Sequence, residues 1–398
     1  MLATLLDVTV GVGQEPAARS LRPAVTWLLL TDFRGYGSAR LEIDDRPVVL
    51  TGANGAGKTN LLEAISFLAP GRGLRRARLV EVDKSTPAAP ASSPWAVAAR
   101  IETGHGEVQI GTGRDAASPS GERRIVRIDG AKAKSQAELA SLIAIGWLTP
   151  QMDRLFIEGS GGRRRFLDRL VLAFDPGHAA RLGSYEQTMR ERQRLLRDGS
   201  GDTGWLGVLE ERMARDGIAI AAARRELTAR LAADDAAAEP FPRAALTLKG
   251  EVETWLGTMP ALAAEEALRA RFEATRRRDG DSGTTEAGPH RSDLAVRHLG
   301  TGMEAAQCST GEQKALLIAI VLAHARLRAR STGAPPILLL DEVAAHLDGS
   351  RRAALFAALQ TLGAQAWLTG TDAALFAGFA RAAQFFTVAD AAIHPTRT

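Results

Sequence analysis

Apolar and polar positions change their period several times along this chain, and each change predicts a different kind of element. Residues 25 to 31 and 39 to 50 carry β-branched and aliphatic runs that predict strands. The second run leads into a glycine-rich turn and then an amphipathic helical pattern through Asn60-Leu61-Leu62-Glu63-Ala64. Residues 84 to 94, KSTPAAPASSP, have loop chemistry. From 95 to 129 the stretches WAVAARIE, VQIGTG and RRIVRID alternate between Gly and Asp turns, which predicts a small antiparallel sheet. From about 160 to 280 the pattern becomes helical, rich in Arg, Ala, Leu and Glu. Residues 296 to 331 read as helix after a glycine-rich turn, and Pro335-Pro336 introduces the apolar strand Ile337 to Leu340. AQAWLTGTD, near 364 to 372, reads as one more strand with its loop.

The fold class that follows is α/β, with a mainly helical lobe inserted into a lobe built from both chain ends. The expected division is a disordered extension over residues 1–24, an α/β lobe from 25–160 plus 290–398, and a helical lobe over 161–289. Two lobes suit 398 residues, which exceed what one core usually serves. Hydrophobic residues at 45% and charged residues at 24% exclude a chain disordered throughout. The net charge of +4 permits a polyanionic partner without requiring one. Cys308 is the sole cysteine, which excludes an intrachain disulfide and a cysteine-based zinc site. No stretch approaches a membrane span and residues 1–24 lack secretory-signal order, so a cytoplasmic protein without a membrane partner is expected.

The chemistry centres on Gly52-Ala53-Asn54-Gly55-Ala56-Gly57-Lys58-Thr59, which has the spacing G-x-x-x-x-G-K-[ST] between a strand and a helix. Glycines let consecutive N–H groups turn toward one anion, and the following helix directs its positive end there. Lys58 is expected to reach the β and γ phosphates of ATP, with Asn60 in the same loop-helix junction, and the Thr59 hydroxyl to bind Mg²⁺. The strand in PPILLLDEVAAHLD ends in Asp341-Glu342. Asp341 is suited to orient Mg²⁺ and Glu342 to polarise the attacking water, although a surface acidic pair at a strand end is also common.

Cys308-Ser309-Thr310-Gly311-Glu312-Gln313-Lys314 stands thirty residues earlier, directly before a helical pattern. Ser309 and Glu312 have capping-box spacing, and Ser309, Thr310, Gly311 and Gln313 resemble the signature loop of ABC-type ATPases. That resemblance implies contact with ATP held by a second subunit, makes Asp348 a dimer-loop residue, and gives Gln151 in WLTPQMD a role with Mg²⁺ and the attacking water. The switch histidine of such enzymes is not evident. The last strand ends in Thr369-Gly370-Thr371-Asp372, and Thr371 is the expected occupant of its position.

Only about 280 residues separate the phosphate loop from Asp341, too few for the long coiled coils of complete SMC proteins. A transporter's ATPase subunit, another SMC-like head and a head fused to a nuclease remain as alternatives, the last with no length left for its metal domain. Five stretches are more specific: LTDFRGY at 30–36, the loop with NLLEA, GRGLRR at 71–76, GRRRFLD at 162–168 and GPHRSDL at 288–294. Through these the chain closely resembles the RecF family of bacterial recombination mediators over residues 25–390. The resemblance implies a weak DNA-stimulated ATPase that binds gapped or double-stranded DNA as an ATP-driven homodimer. It also implies cooperation with RecO and RecR in loading RecA. Arg34 is a candidate for the adenine or a phosphate, against an ordinary salt bridge, and Arg163, Arg164 and Arg165 are candidates for DNA, against a solvated helix face.

Overall fold

The computed structural model describes residues 22–84, 93–199, 202–233, 240–379 and 382–396. Along the chain these form β1 (Ala24–Phe33), β2 (Tyr36–Glu42), β3 (Val48–Thr51), α1 (Lys58–Ser66), β4 (Ala96–Thr103), β5 (Gly106–Arg114), β6 (Arg124–Ile128), β7 (Ala131–Lys132), α2 (Ala137–Leu142) and β8 (Ile145–Leu148). Next come α3 (Ser160–Leu172), α4 (His178–Arg197), α5 (Thr203–Ala232), β9 (Ala244–Lys249), α6 (Glu251–Thr258), α7 (Ala261–Ser282) and β10 (Asp293–His298). The chain closes with α8 (Thr310–Thr332), β11 (Ile337–Leu340), α9 (Gly349–Leu362), β12 (Ala366–Gly370), β13 (Gln384–Ala389) and β14 (Ala392–Pro395).

Two compact units emerge. The first comprises Met1–Met152, Ala238–Pro240 and His324–Thr398, and the second Asp153–Ala237 and Phe241–Ala323. The first unit holds two six-stranded sheets. One is antiparallel, ordered β2-β1-β4-β5-β6-β7; the other, ordered β14-β13-β3-β12-β11-β8, is parallel apart from its β13–β14 edge pair. In β3, β11 and β12 every residue is buried, as expected of strands covered on both faces. Between the sheets α1 inserts Leu61, Leu62, Ala64 and Ile65, and Phe33, Phe67 and Trp95 meet edge-on or tilted in the same core.

The predicted strand over 39–50 is two strands in different sheets. β2 pairs with β1, whereas β3 pairs with β12 and β13, so the chain crosses from one sheet to the other between them. The antiparallel sheet expected over 95–129 is β4 to β6, joined by β1 and β2. Residues 1–21 of the expected extension and 85–92 of the expected loop lie outside the described residues.

In the second unit α4, α5 and α7 form the helical core, with Tyr185, Met213, Ile220, Leu268 and Phe272 buried together. The boundary departs from the expected one, because residues 290–323 pack with this unit. β10 pairs antiparallel with β9 from Asp293↔Lys249 to His298↔Ala244, and Arg163 of α3 grips Asp293. The helix expected to begin near 296 therefore starts at Thr310, after a strand. A two-stranded sheet with a distant partner leaves only a short, half-buried pattern, which helical periodicity on either side obscures.

Candidate functional site

The phosphate loop begins where β3 ends. Gly52 has φ 147 and Gly57 φ 112, values that side-chain-bearing residues rarely adopt. A Cβ at Gly52 would lie 2.2 Å from the Val388 carbonyl oxygen, and one at Gly57 2.6 Å from the Tyr36 hydroxyl. Both glycines are thus required by backbone shape and by close approach. Ala53, Asn54 and Gly55 form the exposed rim, and α1 starts at Lys58 with no side-chain cap and no acidic residue in its first turn. Uncapped N–H groups at the positive end of a helix form a site for an anion. The Lys58 side chain folds back so that Nζ donates to the Gly52 and Ala53 carbonyls at 2.7 and 2.8 Å. Burial holds its ammonium below the ordinary lysine value, against the opposing pull of Glu342 and Asp341.

β12 lies between β3 and β11 in the parallel sheet, so its C-terminal end falls between the phosphate loop and the acidic pair. Leu340 is opposite Leu368, which brings the next residues, Asp341 and Thr369, side by side. Thr59 Oγ1 donates to the Asp341 carboxylate, at 2.9 Å from Oδ1 and 3.0 Å from Oδ2. Thr369 Oγ1 donates to Asp341 Oδ1 at 2.7 Å and accepts from the Glu342 N–H at 2.8 Å. Asp341 N also donates to Leu148 O of β8 at 2.9 Å. Glu342 has φ 54, a left-handed conformation uncommon for a residue with a side chain. Thr59 and Asp341 thus offer adjoining hard oxygen donors of the kind Mg²⁺ takes, and the uncapped loop fits a polyphosphate. Among the described residues no cluster of three or more His, Cys, Asp or Glu suggests another metal centre.

Thr369 is the residue of this cluster that the sequence did not single out. A hydroxyl within the buried run Ala366–Gly370 was the available signal, but its partner depends on strand order. Thr371, expected at the switch position, is exposed. Gln151 is also exposed, on the short 3₁₀ turn Pro150–Arg154 that follows β8, the strand beside β11. Asp348 is the N-cap of α9, its carboxylate accepting from Arg351 N at 2.8 Å.

The signature-like loop belongs to the second unit. Glu312 Oε2 accepts from both Ser309 N and Ser309 Oγ at 2.9 Å, and Glu312 N donates to Ser309 Oγ at 3.4 Å, so the capping box is formed. Gln313 is buried and its amide donates to Cys308 O, whereas Ser309, Thr310 and Gly311 are exposed. The loop thus presents a capped, exposed helix start with its shape fixed from within.

Two arginine expectations change. Arg34 makes the salt bridge weighed against a nucleotide role: its Nε and Nη2 clasp the fully buried Glu63 carboxylate of α1 at 2.9 and 2.8 Å, and Nη1 donates to Glu81 O. Arg75 of the GRGLRR stretch reaches both Glu63 and Asn60 Oδ1. Two of the sequence stretches therefore converge on one buried carboxylate that anchors α1. Arg163 and Arg164 are likewise committed. Arg163 makes a two-pronged pair with Asp293 at 2.7 and 2.9 Å, which raises its pKa, and Arg164 donates to Ser292 O and Ser160 Oγ. Asp168 is buried, which alone would raise its pKa, but hydrogen bonds from His178 and Arg224 hold it below the usual carboxylate range. Arg224 also donates to Pro289 O. GRRRFLD and GPHRSDL thus lock onto each other and onto α5, and of the three arginines only Arg165 is exposed.

A parallel sheet with a phosphate loop after one strand and an Asp-Glu pair after the strand two places away defines the ABC-type ATPase head, and solved structures agree with that fold. One described as the recombination mediator protein RecF-ATPrS in the RecFOR pathway superposes with a TM-score of 0.80 at 21% identity, covering 94% of this chain and 99% of its own. An Smc head domain derived from Pyrococcus furiosus, bound to the C-terminal domain of ScpA, gives 0.51 at 15% identity, with 94% and 96% covered. The family model described as RecF/RecN/SMC N terminal domain matches residues 24–393. A protein of Mesorhizobium japonicum named DNA replication and repair protein RecF is 50% identical over 377 residues, 94% of this chain and 98% of its own length. Its namesake in Allorhizobium ampelinum is 52% identical over 366 residues, 91% and 96% of the two lengths. This chain belongs to the RecF family.

Proposed function

We propose that this chain is an ATP-hydrolysing, DNA-binding protein of replication and recombinational repair, whose ATP-bound form is a head-to-tail homodimer. The observation that carries the reading is the meeting of Thr59, at the uncapped start of α1, with Asp341 at the end of β11, where Glu342 follows. In this reading Gly52 to Lys58 bind the ATP phosphates through backbone N–H groups and the Lys58 ammonium. Lys58 exchanges its two carbonyl partners for phosphate oxygens. Thr59 and Asp341, with Gln151, hold Mg²⁺, whose charge neutralises phosphate oxygens when bound. Glu342 accepts a proton from the attacking water. Ser309, Thr310 and Gly311 act on the nucleotide of the second copy, Gln313 holds the loop from within through Cys308 O, and Asp348 stands at the junction. RecR, RecO and RecA are the partners in this reading, with gapped or double-stranded DNA as the nucleic acid. No helix among the described residues is long and apolar enough to cross a membrane.

The deciding experiment measures ATP turnover with and without gapped duplex DNA, and molecular mass with and without ATP and Mg²⁺. Turnover that rises with DNA and a mass that doubles with ATP are expected. A chain that stays monomeric with ATP, or whose turnover ignores DNA, would overturn the corresponding half of the proposal.

A further inference from the structure

Among the described residues the hydroxyl of Thr369 is the one group bonded to both members of the acidic pair. It has a single proton, which it donates to Asp341 Oδ1 at an oxygen–oxygen distance of 2.7 Å, and its oxygen in turn accepts the Glu342 N–H at 2.8 Å. The direction is set by the Glu342 N–H, which can only donate, so the hydroxyl oxygen accepts there and the hydroxyl proton is left for Asp341. Thr369 is buried at 1% exposure, so water does not substitute for it. Glu342 needs an external hold, because its left-handed backbone is retained only where surrounding bonds determine it.

Asp341 has two hydroxyl partners, Thr59 and Thr369, and they differ in what they are free to do. If Thr59 turned an oxygen lone pair to Mg²⁺, as the proposed function requires, it would keep its proton for Asp341, but its position would then be set by the metal and by α1. Thr369 stands on β12, outside the phosphate loop and α1, and keeps its bond. We propose that Thr369 is a positioning residue that sets the metal-facing carboxylate of Asp341 and the backbone turn of Glu342 together, so that a displacement of either is transmitted to the other. This inference rests on the proposed ATPase reading for its consequence in turnover, and on this chain's own contacts for the latch itself.

Two variants separate the hydroxyl from the shape. Thr369→Val keeps the branched volume and removes both bonds; Thr369→Ser keeps both bonds and loses a methyl group. In nucleotide-free protein, amide exchange at Glu342 is expected to be protected in the parent and in Thr369→Ser and to become fast in Thr369→Val. The gain in ATP affinity on adding Mg²⁺ is expected to shrink at least about tenfold in Thr369→Val, the scale of a lost hydrogen bond to a charged group, while affinity in EDTA changes less than about twofold. Turnover should fall at least about tenfold in Thr369→Val and stay within about threefold of the parent in Thr369→Ser. Retained Glu342 protection in Thr369→Val, or a Thr369→Ser that behaves like Thr369→Val, would overturn the latch. A parent that hydrolyses no ATP would instead defeat the ATPase reading, and the exchange measurement would still decide the latch.

Discussion

Arg34→Leu distinguishes an arginine that serves ATP from one that holds the fold. The substitution removes the two hydrogen bonds to Glu63, at 2.8 and 2.9 Å, and the 2.7 Å bond to Glu81 O. Glu63 is fully buried, and after the change Oε2 keeps Arg75 at 2.8 Å while Oε1 is left without its arginine. Breaking a buried ion pair by removing one partner costs roughly 3–5 kcal/mol, because the other charge is left uncompensated. Arg75 moderates this toward the lower end, and the 20% exposure of the Arg34 side chain discounts it further, so about 2–3 kcal/mol is expected. Such a loss lowers the folded-to-unfolded ratio roughly 30- to 150-fold. Urea unfolding followed by circular dichroism measures it, and removing both charges in Arg34→Leu/Glu63→Leu should recover a large part. ATP affinity of the folded variant should stay within about threefold of the parent, since Nε, Nη1 and Nη2 of Arg34 are all committed to Glu63 and Glu81. A stability loss under about 1 kcal/mol would refute the anchoring argument. A normal stability with a large loss of ATP affinity would return Arg34 to the nucleotide.

Glu342→Gln should bind ATP and hold the ATP-dependent dimer while turnover falls at least about a hundredfold, because an amide fills the site but is a poor base; parental turnover would shift attention to Gln151 or Asp348. Mixing Ser309→Arg with Lys58→Met chains tests action across the dimer. The first should bind ATP as a monomer and fail to dimerise, and the mixture should form at most one composite site; loss of ATP binding by monomeric Ser309→Arg would show that the loop serves its own chain. His290 gives a pH dependence. Its Nε2 donates to Thr285 O at 2.9 Å, and burial pushes its pKa down to about 4, so at neutral pH the ring is uncharged and Nδ1 accepts from Tyr185. The unfolded chain then binds the extra proton between about pH 6.5 and 4, so stability falls as pH drops through this window, by about 2 kcal/mol at pH 5. His290→Asn should flatten that part of the urea-stability profile, and an unchanged slope would count against a buried neutral imidazole.

The phosphate loop was legible because its chemistry is local. Glycine spacing, the lysine and the helix that follows occupy adjacent positions, and backbone sterics enforce them at Gly52 and Gly57. The apolar run ending in Asp341-Glu342 was legible for a similar reason, as was the Ser309–Glu312 capping box. Where Arg163 and Arg164 would turn was not legible, since charge density along a sequence does not reveal whether Asp293 or Ser292, some 130 residues away, will take up the charge. The strand β9 was missed because its partner β10 follows two intervening helices.

The sequence by itself determined which residue types occupy the phosphate loop, the acidic strand end and the signature-like turn, because each depends on neighbours within one or two turns of chain. The tertiary structure decided which of them meet. Insertion of β12 between β3 and β11 puts Thr369 against Asp341 and Glu342, and packing of α1 between the sheets turns Glu63 inward to Arg34 and Arg75. Strand order and helix facing are settled by burial summed over the whole core, a quantity that no local window contains.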